Sequence, residues 1–352
     1  MSDTQPTDDQ NLETKVAVAP LLNTIFTGET LSQDRAEEVL GALMDGHLSQ
    51  MQAAALLAAL RTRGETVEEI VGFAKAMRAR AVQVPVKTTG VLLDTCGTGG
   101  TGFNSFNIST ACLFVIAAAG VKIAKHGNRA ATRKSGAADV LESLGVNLDV
   151  SPEHLASSIN EVGMAFIYAR NHHPAMKFVA PVRADLQART IFNSLGPLTN
   201  PAGANRQLLG VYDAQLTETL AKVLAGLGVE RALVVHGDGL DELSVTGANV
   251  VSELHADGSI STETMTPEDF GFQRYLKDDL IGGNAQENAK TIRGILAGEI
   301  VGAKRAIVML NAGAALYLAD KADSIRKGAK LAAQLIDDGS AAATLERYLA
   351  FN

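Results

Sequence analysis

Up to about residue 80 the apolar positions recur at helical spacing. Ala36, Val39, Leu40 and Leu43 follow Ser32 at intervals of three, one and three, which puts them on one face of a helix. Ser49 and Gln52 predict a capping box before the run Ala53 to Leu60, and Gly64 suits its stop. Thr66 and Glu69 repeat the signal ahead of Ile70, Phe73 and Met77. Short helices in a row, with no strand between them, predict a small helical domain.

The pattern changes near Val86. Short apolar runs now alternate with helical stretches. Val91 to Leu93 reads as a strand, followed by a glycine-rich turn and a helix from about Ser109. Val121 to Ala124 is the next strand, with a helix over about Gly136 to Leu144. Ser151 with Pro152 opens another helix, and Ala165 to Tyr168 another strand. Leu208 to Tyr212 and Ala232 to Val235 are buried strands around a helix near Leu216 to Leu227. Such alternation predicts a mostly parallel central sheet covered by helices. Residues 170–205 interrupt it with Pro174, Pro181 and Pro197 and with Arg183 and Arg189, and are expected to cross back to the helical domain. From Asn284 the chain is again mostly helical. The expected fold class is α/β, with a small N-terminal helical domain and a larger α/β domain. The boundaries are a tail over 1–15, a helical domain over 16–86 joined in space by roughly 170–205, and an α/β domain over 87–169 and 206–352.

Composition narrows the function classes. The chain has 352 residues, 46% hydrophobic and 20% charged, enough for a sizeable core. Its net charge of −8 disfavours nucleic acid and acidic membranes as partners, so a bound phosphate must be held by a local site. Cys96 and Cys112, the two cysteines, fit neither a disulfide framework nor a four-cysteine zinc site. The start is polar and acidic, without a basic head and apolar stretch, and Cys112 to Gly120 is too short to span a bilayer. These features predict a cytoplasmic protein.

Four segments carry candidate chemistry. The first runs from Asp94 through Gly97, Gly99, Gly100 and Gly102 to Ser109 and Thr110, between a strand and a helix. Glycines let backbone N–H groups approach an anion, and the helix start adds partial positive charge. A plain strand-to-helix turn needs only one glycine. No Gly-Lys-Ser/Thr follows, so this is not a Walker loop, and a dinucleotide fingerprint lacks its acidic ribose partner. The second segment places Lys125, Arg129, Arg133 and Lys134 after a strand, with Gly127, Asn128 and Gly136 between them. A solvated basic loop is the plain alternative; in an acidic protein, that density points to a phosphate-rich small molecule. His126 suits a structural role equally well. The third segment, Asn171 to Pro201, contains His172, His173 and Arg183. The Arg183 fork suits a carboxylate, and the paired histidines lack the spaced partners of a zinc site. The fourth places Asp241 and Glu242 in a loop after a buried strand, where parallel-sheet enzymes put ligands. Two hard carboxylates suit Mg²⁺ bridging to substrate phosphates, against the plain alternative of an acidic turn.

Together these segments closely resemble the anthranilate phosphoribosyltransferase family, from about Leu21 to the C-terminal helices. The specific pieces are Lys125-His-Gly-Asn-Arg129, His173-Pro-Ala-Met176, Arg189-Thr-Ile-Phe-Asn193, Gly196-Pro-Leu-Thr-Asn-Pro201 and Gly239-Leu-Asp-Glu242. Gly282-Gly-Asn-Ala-Gln-Glu-Asn-Ala289 and Lys304 to Asn311 also match in style. The resemblance implies transfer of the phosphoribosyl group of phosphoribosyl pyrophosphate (PRPP) to anthranilate, in tryptophan biosynthesis. It also implies about two Mg²⁺ ions per monomer and a homodimer formed mainly through the helical domain. It assigns PRPP to Gly97, Gly100, Asn107, Ser109, Thr110 and Lys125. That site extends over Thr101, Ser105 and Ile108, then His126, Gly127, Asn128 and Arg129, and finally Ala130, Ala131, Thr132, Arg133 and Ala137. Gly97, Asn128 and Arg183 would face anthranilate; Ser109, Asp241 and Glu242 would serve the metal. No covalent nucleophile or general base is assigned.

Two positions depart from the family pattern. Thr101 stands where an Asp is usual after the paired glycines, and Arg133 where a small hydroxyl residue is common. Both bear on PRPP affinity rather than on reaction class. Three other readings remain open at this stage: a pyrimidine nucleoside phosphorylase using inorganic phosphate, a non-enzymatic nucleic-acid binder, and a catalyst for another aromatic amine.

Overall fold

A computed structural model describes residues 18–130 and 134–352. The expected tail over 1–15 and the assignments to Ala131, Thr132 and Arg133 lie outside the described residues.

The N-terminal part is a layer of helices: α1 (Val18–Phe26), α2 (Gln33–Met44), α3 (Gln50–Arg63) and α4 (Val67–Ala79). Helix α1 was not among the expected elements. Ser32 caps α2, and both expected capping boxes form, Ser49 with Gln52 and Thr66 with Glu69. Glu69 does more than close its own box. Fully buried, it accepts from Thr66 N at 2.9 Å, Leu31 N at 2.8 Å and Arg63 Nη2 at 2.6 Å. One carboxylate thereby joins the start of α4, the end of α3 and the segment entering α2.

The α/β part follows as β1 (Leu92–Gly97), α5 (Ile108–Ala118), β2 (Lys122–Gly127), α6 (Ala137–Leu144), α7 (Pro152–Glu161) and β3 (Met164–Tyr168). The short helices α8 (Ala169–His172), α9 (Ala180–Leu186) and α10 (Phe192–Leu195) lead to β4 (Arg206–Gly210), α11 (Leu216–Gly226) and β5 (Arg231–Gly237). The chain ends with β6 (Asn249–Leu254), β7 (Ile260–Met265), α12 (Ala285–Leu296), α13 (Ala303–Leu318), α14 (Ile325–Asp337) and α15 (Ser340–Phe351). The sheet order is β3-β2-β1-β4-β5-β6-β7. From β3 to β5 every pairing is parallel; β6 and β7 are added antiparallel. This hairpin was not expected. Its outer strand presents Ser261, Thr262, Glu263 and Thr264 to solvent, so it has no apolar run to announce it. Strand β4 begins two residues before the expected Leu208 and leaves Tyr212 outside the sheet.

The sheet packs on both faces. Phe114, Ile116, Ile307, Leu310 and Tyr348 from α5, α13 and α15 fill one side. On the other, Leu220 and Leu224 of α11 share an apolar cluster with Leu40, Leu57 and Phe73 of the helical layer. Val179, Val182, Ile191, Phe192 and Leu195, from the 170–205 segment, belong to that same cluster. Arg78 of α4 donates from Nε to Leu198 O at 2.8 Å. The chain leaves β1 toward β2 on one side, and β4 leads toward β5 on the other. Parallel sheets bind ligands at such a reversal, beyond the C-terminal strand ends. Among the described residues no helix is long and apolar enough to cross a membrane.

A buried carboxyl sits at the centre of the sheet. Asp94 of β1 is inaccessible; its Oδ1 accepts from His126 N at 3.2 Å and its Oδ2 faces Cys96 Sγ at 3.7 Å. Burial outweighs these contacts and the nearby Lys125, and lifts the Asp94 pKa to about 6. The unfolded carboxyl titrates near ~4. The contribution of the neutral form is therefore complete below about pH 4 and is lost as pH rises through about 6.

Two outcomes are expected from urea unfolding. Glu69→Ala should lower stability by about 3 kcal/mol, because it takes the carboxylate from the Arg63 guanidinium and the acceptor from the backbone donors of Leu31 and Thr66; a loss under about 1 kcal/mol would contradict the junction role. Asp94→Asn should remove the acid-side component, so the advantage of the parent protein should shrink between about pH 4 and 6. Parallel pH profiles for the two proteins would show that Asp94 is ionised throughout.

Candidate active site

A cavity of about 990 Å³ opens at the C-terminal ends of β1 and β2. Its floor is the turn from β1 into α5. Gly97, Thr98, Gly99 and Gly100 line it, and so do Asn107, Ile108, Ser109 and Thr110 at the start of α5. Asn107 at the N-cap makes no side-chain cap hydrogen bond, and the partial positive charge of this helix start faces the cavity. The Thr110 hydroxyl is buried there without a hydrogen-bond partner among the described residues. Asn107 is held from three sides: it donates to Ser135 O at 3.3 Å and accepts from Ser135 Oγ at 3.2 Å and Asn288 Nδ2 at 2.9 Å.

Lys125 enters from the end of β2. Its backbone is buried in the sheet, and Nζ reaches across to Thr95 O at 2.5 Å and Ser109 Oγ at 3.0 Å. A cation thus lies against the hydroxyl at the helix start. Beyond β2, His126, Gly127, Asn128, Arg129, Ala130 and Ala137 also line the cavity. The Arg129 guanidinium is directed to Asp139 at 2.8 Å and Glu142 at 2.5 Å, and lies over the Tyr168 ring at 5.5 Å. Those carboxylates raise its pKa further. The predicted cationic loop therefore spends one of its charges on α6. His126 and His173 meet at 3.2 Å between their Nε2 atoms. Burial is the main cause of their lowered pKa values, to about 3 for His126 and about 4 for His173. Two neutral rings can share one N–H···N hydrogen bond, so His126 lines the cavity without a charge, backed by His173.

The acidic loop after β5 closes the floor from the other side. Asp241 Oδ2 accepts from Gly99 N at 2.8 Å, and Glu242 Oε1 from Ser109 N at 3.3 Å. Two glycines make room for this approach. A Cβ at Gly97 would lie 2.3 Å from Asp241 Oδ2, and one at Gly210 would lie 1.7 Å from Asp241 O. Asp241, Glu242 and the Ser109 hydroxyl form a set of hard oxygen donors. No cluster of three His, Cys, Asp or Glu occurs among the described residues. Such a sparse donor set fits Mg²⁺, which keeps several waters and completes its shell from a substrate's phosphates.

The 180–193 segment forms the roof, with Ala180, Arg183, Ala184, Arg189 and Asn193. Arg183 has no hydrogen bond or ion pair from its guanidinium among the described residues; it faces the Phe192 ring at 5.7 Å. Partial burial pushes its pKa down, the mark of a cation short of a counter-charge. Arg189 donates to Gly100 O and lies over the Tyr212 ring at 3.9 Å.

The cavity gathers most of the expected residues that the structure describes. Thr101 and Ser105 do not line it. Ser105 pairs with Ile281 in an isolated bridge, which turns it toward the loop before α12. Arg189 and Asn193 were left unassigned although they sit in the most specific stretch of the sequence. Gly210 was missed as well; its only signal was a glycine at a strand end.

The glycosyl transferase family a/b domain matches residues 89–342, and the helical bundle domain of the same family matches residues 19–81. An anthranilate phosphoribosyltransferase of Rubrobacter xylanophilus is 53% identical over 92% of this chain and 94% of its own. The crystal structure of the Thermus thermophilus enzyme of that name is 46% identical, covers 94% of this chain and 98% of its own, and superposes with a TM-score of 0.89. The Saccharomyces cerevisiae enzyme in complex with PRPP and Mg is 26% identical over 95% of this chain and 97% of its own, with a TM-score of 0.86; it is also known in complex with 4-fluoroanthranilate. Near-complete coverage at about half identity, on the same two-part architecture, leaves one conclusion: the chain belongs to the anthranilate phosphoribosyltransferase family.

Proposed function

We infer that this cavity transfers the phosphoribosyl group of PRPP to the amine of anthranilate, giving N-(5-phosphoribosyl)anthranilate and pyrophosphate for tryptophan biosynthesis. One observation carries the residue-level reading. A single cavity holds the start of α5 beside Lys125, a pair of carboxylates, and on the opposite wall an arginine with no ion pair among the described residues. These are the three recognition elements that a sugar pyrophosphate, its metal and an aromatic carboxylate require.

PRPP lies along the floor. Backbone N–H groups of Gly97–Gly100 and the start of α5 take phosphate oxygens, and Lys125, Ser109 and Thr110 add a cation and hydroxyls. Asn107 shapes this turn. Gly127, Asn128, Ala130 and Ala137 flank the ribose side, and the family resemblance assigns Ala131, Thr132 and Arg133 to the same substrate. Asp241, Glu242 and Ser109 hold Mg²⁺, with about two ions per monomer as the reading. When bound, Mg²⁺ offsets negative charge on the pyrophosphate as it departs. Arg183 binds the anthranilate carboxylate through its fork, and Asn128 and Gly97 face the same substrate.

The anthranilate amine is neutral and carries a lone pair, so no residue has to remove a proton before attack. The barrier lies in loosening the bond from the anomeric carbon to pyrophosphate. Lys125 and the oriented N–H groups favour charge on that leaving group. Arg183 holds the amine behind the opposite face, so attack inverts the anomeric centre. Placing two reactants this way supplies several kcal/mol, to an order of magnitude.

The domain boundaries at 16–86 with 170–205, against 87–169 with 206–352, are part of this reading. The cavity then lies where the two parts meet. A homodimer through the helical layer is supported by Phe26 and Met51, apolar side chains exposed on α1 and α3. Cys96 and Cys112 are buried free thiols, in keeping with a reducing cytoplasm.

The reaction is tested by following loss of anthranilate fluorescence with PRPP and Mg²⁺; no loss with pure protein would refute the reading. Asp241→Ala with Glu242→Ala should lower Mg²⁺-dependent turnover by on the order of 10³-fold while leaving anthranilate binding within a few-fold. A double variant at parental rate would remove the metal assignment. Arg183→Ala should raise the KM for anthranilate about tenfold or more, with less effect on the KM for PRPP. Equal KM values for parent and variant would place the carboxylate elsewhere.

A further inference from the structure

The loop carrying Asp241 and Glu242 leaves the sheet after β5 and runs outside any strand until β6. Its backbone groups near Leu243 and Ser244 are nevertheless buried. Two side-chain amides take the place of a neighbouring strand. Asn311, on α13 and 1% exposed, accepts from Leu243 N at 2.9 Å and donates to Leu243 O at 2.8 Å. Its other amide hydrogen goes to Ile307 O at 2.9 Å, within its own helix. Asn249, the first residue of β6, treats the next residue the same way. It accepts from Ser244 N at 2.6 Å and donates to Ser244 O at 3.0 Å and Gly247 O at 3.1 Å.

We propose that Asn311 and Asn249 are positioning residues that set the acidic pair against the glycine loop and the start of α5. Resting on the assignment of Asp241 and Glu242 to the metal, the inference extends the site to two side chains that touch neither substrate nor ion. A carboxamide accepts through its oxygen and donates through its nitrogen, so it can pair with both the N–H and the C=O of one residue; an apolar side chain does neither, and an ionised carboxylate cannot donate. Each amide thus holds the N–H and the C=O of one residue, as a neighbouring strand would. Leu243 follows Glu242 directly, so a shift of its peptide passes into carboxylates that stand 2.8 Å from Gly99 N and 3.3 Å from Ser109 N. Asn311 anchors the loop to a long helix packed under the sheet, and Asn249 anchors it to the sheet itself. Asn311 also ends the Lys304 to Asn311 stretch, whose likeness to the family no substrate contact accounts for.

The test measures steady-state kinetics of full-length Asn311→Leu and Asn249→Ala at saturating PRPP, with Mg²⁺ varied. Thermal melting and circular dichroism check folding. The half-saturating Mg²⁺ concentration should rise about tenfold in each folded variant, while the KM for anthranilate stays within about twofold. A folded variant with parental Mg²⁺ dependence, or with both quantities raised alike, would overturn the proposal. If neither variant folds, the amides belong to the core alone and the proposal also fails. Asp241→Ala with Glu242→Ala separates the two levels. If that control loses its Mg²⁺ response and the asparagine variants keep theirs, only the positioning role falls. If the control keeps its response, the metal assignment falls and takes this inference with it.

Discussion

The site depends on one close approach, the Asp241 carboxylate against the backbone of the glycine loop. Oδ2 meets Gly99 N at 2.8 Å, and neither Gly97 nor Gly210 has a side chain to prevent it. This contact brings the ends of β1, β4 and β5 to one point. A methyl group at either glycine would force the two loops apart. The strand ends would then still be adjacent, but their loops would no longer share a cavity.

Charge is distributed to serve that point. The chain is acidic overall, at −8, yet the cavity collects Lys125, Arg183, Arg189 and the start of α5. Lys125 is directed inward because β2 buries its backbone while its long side chain spans to Thr95 and Ser109. Arg183 comes from a segment that packs with the helical layer, so the roof belongs to a different apolar cluster from α5 beneath the floor. Any relative movement of those clusters would change the separation between the donor site and the acceptor site.

Local signals were the most legible. Ser32, the Ser49–Gln52 and Thr66–Glu69 boxes and Ser151 mark helix starts that the structure contains, because capping depends on residues only a few positions apart. The parallel strands were legible as apolar runs because both their faces are buried. The β6–β7 hairpin was not, since its outer strand is polar and solvent-facing. Thr101 and Ser105 are assigned to PRPP by their place in the motif. Neither is among the described residues lining the cavity, and the Ser105 backbone bridges to Ile281.

By its residues alone, the chain determined its helix starts, its alternating strands and helices, its glycine and cationic loops and its family, since each is written in short-range pattern or in order along the chain. Tertiary structure alone decided which of those residues meet. Nothing local announces that Glu69 joins three segments or that Arg129 turns to Glu142. The same holds for Asn311 and Leu243, whose peptide and amide meet 68 positions apart. Those contacts come from packing, which minimises exposed apolar area and unpaired buried polar groups over the whole chain at once.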